Sequence, residues 1–232
     1  MPQPYEHLFF DLDRTLWDFE SSAAKTFSDL FEKHKLKSRG IENVAIFHDV
    51  YTRHNEMLWD LYRAGDITKE HLRGERFFLT LKDFGIDDPR LATAIGEDYV
   101  TLAPLNVRLF PNAFEILEYL LPNYQLHLIT NGFSETQFTK LRVSGLDRFF
   151  KQVITSEEAG VKKPFAGIFE FALKKTGASV NNSLMIGDDY EVDIIGARQF
   201  GMDQVHFDPH DNYRENGSTY TIKNLIELKK FL

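Results

Sequence analysis

Residues 125–145, QLHLITNGFSETQFTKLRVSG, decide the fold, because they join a short apolar strand to a helix. The apolar run 125–130 ends in a polar Thr-Asn-Gly turn, Ser134 is typical of a helix N-cap, and Gly145 is typical of a helix end. Further short buried strands are predicted at 7–12, 152–155, 183–187 and 204–207. Helical patterns lie between the last four strands. Such alternation indicates the α/β class, with a doubly wound parallel sheet and helices on both faces.

The segment between the first two strands breaks this alternation. It carries apolar residues at helical spacing and contains no convincing strand. The breaks that divide it into about four helices lie at 37–40, 65–66 and 85–89. We therefore predict a helical domain over 17–103, inserted into a core domain made of 1–16 and 104–232. A helical insert after a parallel strand is well placed to cover a site at the carboxyl end of that strand.

The composition excludes several kinds of function. The chain has 232 residues with 27 Lys+Arg and 35 Asp+Glu, a formal net charge of −8, and no basic cluster of the kind that binds nucleic acid. It has no cysteine, which excludes disulfides, thiolate nucleophiles and Cys-ligated zinc. No apolar stretch approaches the length of a membrane span, and the first residues lack the pattern of a secretory signal. We expect a soluble, cytoplasmic protein that binds neither nucleic acid nor membrane.

Polar groups follow the predicted strands at the points where these strands end. Asp11 and Asp13 leave the first strand together, Thr130 and Asn131 end the second, and Lys163 follows the third. A run of acids follows the fourth strand, at Asp188, Asp189, Glu191 and Asp193. Each group alone has an ordinary structural explanation, as turn acids, helix caps or a surface lysine. Their conjunction in this order is the specific signal.

This order of motifs resembles the haloacid dehalogenase (HAD) superfamily of phosphohydrolases. Its four motifs are matched by residues 11–15 (Asp-Leu-Asp-Arg-Thr), by Thr130, by Lys163, and by 187–189 together with Asp193. The helical insert is similar to the C1-type cap of that superfamily, so the resemblance covers the whole chain. Three segments are similar to the YjjG-type pyrimidine 5′-nucleotidase branch: 129–133 (Ile-Thr-Asn-Gly-Phe), 156–161 (Ser-Glu-Glu-Ala-Gly-Val) and the motif around Lys163. The resemblance implies the strand order 5-4-1-2-3, with the switch point between the first and fourth strands.

The resemblance also implies a Mg²⁺ site at this switch point. Its ligands would be the Asp11 carboxylate, the Asp13 backbone carbonyl and the Asp188 carboxylate, while Asp189 and Asp193 would order the surrounding groups. Oxygen ligands that leave room for water and phosphate suit Mg²⁺. So many neighbouring carboxylates repel one another and raise each other's pKa unless a cation is present.

The catalytic roles are implied in the same way. Asp11 would attack phosphorus and form an aspartyl-phosphate, which divides one difficult displacement into two steps. Asp13 would protonate the leaving alkoxide and then deprotonate the hydrolytic water. Thr130, Asn131 and Lys163 would bind the phosphate, and Thr130 and Lys163 would hold the charge on the transferring oxygens.

The resemblance implies a Mg²⁺-dependent phosphatase of small phosphorylated metabolites, above all pyrimidine nucleoside 5′-monophosphates, acting as a monomer or homodimer. Other substrates, such as phosphoglycolate or a sugar phosphate, and a phosphomutase related to β-phosphoglucomutase stay open. A 2-haloacid dehalogenase is disfavoured, because a leaving halide needs no proton and Asp13 would have no role. Receiver-type signalling domains share a phosphorylated aspartate, but they are about half this length and lack a helical insert.

Two further details bear on the site. Arg14 occupies a position where many members of the superfamily have glycine, and we interpret it as affecting contact with the cap. The segment 206–210, His-Phe-Asp-Pro-His, could suggest a second metal site. We interpret it as a polar loop that follows the last strand, away from the switch point.

Overall fold

The structure, a computed structural model, describes residues 5–212 and 217–232. Within these ranges the core is one parallel sheet with the strand order β3-β2-β1-β4-β5-β6. The strands are β1 (His7–Phe10), β2 (Gln125–Thr130), β3 (Gln152–Thr155), β4 (Ser183–Gly187), β5 (Asp203–Phe207) and β6 (Tyr220–Ile222). The predicted α/β class and the predicted order of the first five strands are confirmed. The sixth strand, at the sheet edge, was not predicted.

Helices, turns and loops connect these strands. The α-helices are α1 (Phe19–Lys33), α2 (Val44–Ala64), α3 (Lys69–Asp83), α4 (Pro89–Leu102), α5 (Ala113–Leu120), α6 (Ser134–Ser144), α7 (Ser156–Ala159), α8 (Ala166–Thr176) and α9 (Gly196–Phe200). A π-helix spans Tyr190–Ile195, and short 3₁₀ turns lie at Leu36–Arg39, Ala103–Leu105, Asp147–Phe149, Val180–Asn182 and Leu225–Lys230. Helix α6 ends, as predicted, at Gly145, whose φ of 72° is the left-handed conformation that glycine adopts without strain. No helix in the described ranges is long and apolar enough to cross a membrane.

The central strands are apolar along their whole length because both faces of the sheet are covered. All four residues of β1 are buried. Leu8 and Phe10 belong to the hydrophobic cluster on one face, whereas Phe9 packs in the other cluster with Ile129 and Met185. A parallel sheet buried on both faces shows such continuous apolar strands rather than strict alternation.

The chain divides into two compact units. The chain up to Phe19 and from Val107 onward forms the first unit, which contains the sheet, and Glu20–Asn106 forms the second. The junctions lie three residues beyond the predicted domain boundaries, and the assignment of these parts as a core domain and a helical cap domain stays a prediction.

The second unit is made mostly of the long helices α1 to α4, which enclose an aromatic centre. The ring of Phe27 lies 4.6 Å from that of Tyr51 and 5.7 Å from that of Tyr99, between centroids. The predicted breaks coincide with the connections between α1, α2, α3 and α4. Asn43, Thr68 and Asp88 cap the last three of these helices, each accepting a hydrogen bond from a backbone N–H.

Candidate active site

The predicted site residues come from the carboxyl ends of three adjacent strands. Phe10 is in register with Leu128 of β2 and with Ile186 of β4. Asp11, Asn131 and Asp188 therefore leave the same edge of the sheet, where the strand order reverses around β1. This edge is where open parallel sheets bind their ligands.

A buried lysine joins two carboxylates at this edge. The Lys163 Nζ donates to Asp11 Oδ1 and to Asp193 Oδ1, at 2.6 Å each, and to the backbone carbonyl of Ile129 at 2.9 Å. The Lys163 side chain is 1% exposed. These contacts use all three donors of the ammonium group. Lys163 therefore holds Asp11 in place and supplies a fixed positive charge beside it.

Several buried acids share this one buried cation, and the pKa values of these acids are shifted. Burial raises the pKa of the Asp11 carboxyl to about 7, with Lys163 opposing and Asp193 adding to the shift. Burial also raises the pKa of Asp188, which faces Asp11 and Asp193. Burial disfavours the charged form of Lys163, but the two carboxylates outweigh it and raise the pKa of the ammonium. Excess negative charge of this kind favours a bound cation.

The donor set fits a hard divalent cation. One carboxylate oxygen from each of Asp11, Asp188 and Asp193 lies within 4.8 Å of the other two. Asp193 is already used, since Oδ1 accepts from Lys163 and Oδ2 accepts from the backbone N–H of Asp189 at 3.3 Å. The Asp11 oxygens also accept, Oδ1 from Lys163 and Oδ2 from Thr15 at 3.5 Å, so Asp188 keeps the greatest capacity for a metal. All-oxygen ligands suit Mg²⁺. Thr15 donates to Asp188 Oδ1 at 3.1 Å and orients that carboxylate.

The π-helix brings Asp193 back to the sheet edge. Asp189 caps it, because Oδ1 accepts from the backbone N–H groups of Glu191 and Val192 at 3.2 and 3.0 Å. A Cβ at Gly187 would lie 2.3 Å from Asp193 Oδ2. Glycine at the end of β4 is therefore what lets Asp193 approach. π-Helical turns are rare and occur frequently at functional sites.

The side chains of Thr130 and Asn131 form hydrogen bonds that stabilise the turn after β2. The Thr130 Oγ1 accepts from the Gly132 N–H at 3.0 Å. The Asn131 side chain bonds the backbone of Lys163 on both sides: its Oδ1 accepts from the N–H and its Nδ2 donates to the carbonyl, at 2.9 Å each. Asn131 thus ties the end of β2 to the segment that carries Lys163. Its predicted contact with phosphate stays a prediction.

Asp13 lies apart from this acidic cluster. Its carboxylate is held by Lys140 Nζ and by Gln137 Nε2, the latter at 2.7 Å from Oδ2. Burial would raise the pKa of Asp13, but these two donors outweigh it and lower the pKa. Neither Gln137 nor Lys140 was identified from the sequence. The available signal was two polar residues at i and i+3 on α6.

The interpretation of the segment 206–210 as a polar loop after the last strand is wrong for His206, which falls instead within the predicted strand 204–207. It lies within β5, is 1% exposed, and its Nε2 is 2.9 Å from the backbone carbonyl of Asp188. It therefore supports the turn that carries Asp188. Arg14 has a φ of 69°, which accounts for glycine being common there in the superfamily, and its guanidinium lies 4.8 Å from the centroid of the Phe19 ring.

Comparisons with known proteins agree with this geometry. Residues 5–201 match the model of the haloacid dehalogenase-like hydrolase family. The HAD-hydrolase YfnB of Bacillus subtilis is 30% identical over 98% of this chain and 95% of its own. A crystal structure of YfnB bound to magnesium superposes with a TM-score of 0.88 at 29% identity, covering 98% of both chains.

Two relatives carry the name pyrimidine 5′-nucleotidase. PynA of Streptococcus pneumoniae is 29% identical over 97% of this chain and 93% of its own. YjjG of Escherichia coli is 29% identical over 98% of each chain. The family predicted from the four motifs is thus confirmed: this chain belongs to the haloacid dehalogenase-like hydrolases.

Proposed function

We propose that this protein is a Mg²⁺-dependent phosphatase that hydrolyses small phosphate monoesters, with pyrimidine nucleoside 5′-monophosphates as its substrate class. The observation that carries the proposal is the Asp11 carboxylate, buried beside Lys163 and within reach of two further acids. The substrate class is supported by the two relatives named pyrimidine 5′-nucleotidase, which match this chain over nearly their full lengths.

The residues divide the reaction into two displacements. Asp11 forms a bond to phosphorus while the ester P–O bond breaks, and Asp13 gives a proton to the leaving alkoxide oxygen. Water then attacks the aspartyl-phosphate, Asp13 takes a proton from that water, and the bond between Asp11 and phosphorus breaks to release phosphate. In the free protein the Asp13 carboxylate is held by Lys140 and Gln137, which lower its pKa.

The remaining groups would hold the phosphate. Lys163 contributes a fixed charge beside the transferring oxygens, since its three donors already bind Asp11, Ile129 and Asp193. The Thr130 oxygen accepts from Gly132, which leaves its O–H to donate to a phosphate oxygen. A Mg²⁺ ion held by Asp11, Asp188 and the Asp13 carbonyl, with Asp189 and Asp193 ordering these groups, would neutralise phosphate charge.

The proposal is tested by phosphate release from a panel of monoesters, with Mg²⁺ and with a chelator. We expect hydrolysis of UMP, dUMP or dTMP that is lost with the chelator and in the Asp11→Asn variant. Asp29→Asn, at an exposed aspartate paired with Lys25, is the matched control and should keep full activity.

Each other outcome has a definite meaning. Hydrolysis confined to phosphoglycolate or sugar phosphates would keep the mechanism and refute the substrate class. Turnover that requires a sugar bisphosphate would indicate a phosphomutase. No Mg²⁺-dependent release from any ester by the folded protein would refute the proposal.

A further inference from the structure

Helix α6 holds Asp13 by both of its oxygens. Lys140 Nζ bonds Oδ1, and Gln137 Nε2 donates to Oδ2 at 2.7 Å. The two donors are three residues apart on the same helix face, so one rigid element supplies both. A carboxylate with a donor on each oxygen cannot rotate about its terminal bond without losing one of these hydrogen bonds.

The side chain of Lys140 is itself held in place by its neighbours. The side chain is 4% exposed, and its ammonium lies 5.0 Å from the ring centroid of Trp17 and 5.5 Å from that of Phe19. Asp13 and Trp17 also form a backbone bridge across the loop after β1. A buried ammonium needs a paired acceptor, and aromatic faces stabilise it further. The ammonium group of Lys140, which belongs to α6, is therefore held against the loop that carries Asp13.

The turn after β2 leaves space for the second donor. A Cβ built at Gly132 would lie 1.6 Å from Gln137 Nε2 and 2.5 Å from its Cδ. Any other residue at position 132 would displace the Gln137 side chain. Gly132 is thus coupled to the placement of Asp13 through the side chain of Gln137.

We propose that Lys140 and Gln137 are positioning residues that orient the Asp13 carboxyl group toward the leaving oxygen, with Gly132 providing the space for Gln137. The inference rests on the proposed phosphatase function, because that reaction is the one in which Asp13 gives and takes a proton. Each Asp13 oxygen has a second lone pair besides the one used by α6. That lone pair carries the proton for the alkoxide and later receives the proton of the attacking water.

Orientation of a proton donor matters most when the leaving group is a poor one. An alkoxide, such as the 5′-oxygen of a nucleoside, needs a proton as the P–O bond breaks. The nitrophenolate of p-nitrophenyl phosphate is stable at neutral pH and leaves without one. The value of kcat/KM reports formation of the aspartyl-phosphate, which is the step in which the two esters differ.

The test therefore compares kcat/KM on two esters in the Lys140→Met variant. For the nucleoside monophosphate that the wild type hydrolyses best, we expect a loss of about 100-fold, the scale on which misplacement of an acid–base group acts. For p-nitrophenyl phosphate we expect a loss below about threefold. Lys140→Arg, which keeps a cation at the same place, should recover most of the activity on the nucleotide.

Two further variants provide the controls. Arg142→Met removes an exposed cation from the same helix and should leave both esters unaffected. Gly132→Ala, which displaces Gln137 without touching Lys140, should show the same selective loss as Lys140→Met and covers the case in which the latter fails to fold.

Equal losses on both esters, or an unchanged kcat/KM for the nucleotide in folded Lys140→Met, would overturn the inference and leave Lys140 a purely structural cation. Failure of the proposed function is a different result, because the wild type itself would then release no phosphate.

Discussion

Replacing His127 by glutamine should make the stability of the first unit, which contains the sheet, less sensitive to acid. His127 lies in the middle of β2 and is 1% exposed. Its Nε2 is 3.1 Å from Nδ1 of His7 on the neighbouring strand, and the two rings stack with centroids 5.3 Å apart. Its other nitrogen, Nδ1, is buried and has no hydrogen-bond partner in the described chain. The favoured tautomer therefore donates from Nε2 to His7, because an unused lone pair costs less than an unused N–H.

Protonation of this ring would be costly. It would bury a charge and create an N–H at Nδ1 without an acceptor. Burial accordingly lowers the pKa of His127 to about 4, with His7 and Lys151 adding to the shift. Burial also lowers the pKa of His7.

The sign and size of the effect follow from linkage. The unfolded chain binds a proton at His127 below pH 6.5, whereas the folded protein does not until about pH 4. The contribution of His127 to folding stability is therefore fully present above pH 6.5 and is lost as the pH falls toward 4. Each pH unit in that window is worth about 1.4 kcal/mol, so His127 alone costs about 2 kcal/mol at pH 5. Asp11, whose pKa is raised, acts with the opposite sign, but it is common to both proteins and cancels in their difference.

The assay is urea unfolding of the wild type and of His127→Gln between pH 7.5 and 5, both in a Trp59→Phe background. Trp17 then reports the unit that contains His127. Relative to the wild type, the variant should gain about 2 kcal/mol over this range, or about 1 M in the urea midpoint. His71→Gln makes the same change at an exposed position and should run parallel to the wild type. Parallel curves for His127→Gln would refute the reasoning.

Three other predictions concern the acidic cluster. Gly187→Ala should lower the free energy of unfolding by about 1–3 kcal/mol, because its Cβ would lie 2.3 Å from Asp193 Oδ2; an unchanged melting temperature would contradict the close approach. Lys163→Met should cost about 3–5 kcal/mol by leaving buried carboxylates unpaired, and Mg²⁺ should recover part of that loss in thermal unfolding; an unaltered melting curve would argue against the ion pairs. The dissociation constant for Mg²⁺ should rise about tenfold for each pH unit below 7, since the pKa of Asp11 is raised to about 7 and the metal competes with its proton; calorimetry that finds no change from pH 7 to 6 would exclude this competition.

Much of the site could be predicted from sequence because its members follow strand ends. Asp11, Thr130 and Asp188 are each preceded by an apolar run, and parallel strands bring their carboxyl ends to one edge. The order of the strands came from the family resemblance rather than from the pattern. Strand β6 escaped prediction because three residues, Tyr-Thr-Ile, are too few to show a period.

The partners of each acid could not be predicted in this way. Gln137 and Lys140 are polar residues on a helix that looks solvent-exposed in sequence, yet both are buried. Their burial depends on a carboxylate more than a hundred residues earlier in the chain. His206 falls within the predicted strand 204–207, but its contact with the Asp188 carbonyl depends on the pairing of β5 with β4 and could not be predicted. Hydrogen bonds between distant segments leave no periodic trace in a sequence.

Asp11 and Asp13 show how the groups around a carboxyl group set its pKa. The two carboxyl groups are of one residue type and lie two positions apart, yet burial among other acids raises the pKa of Asp11 to about 7, while Lys140 and Gln137 lower that of Asp13. The raised pKa of Asp11 favours its protonated form, whereas the lowered pKa of Asp13 favours its ionised form. A bound cation would add to the positive charge that Lys163 already places beside Asp11. Pairs of acids whose environments separate their pKa values are typical of divided catalytic roles.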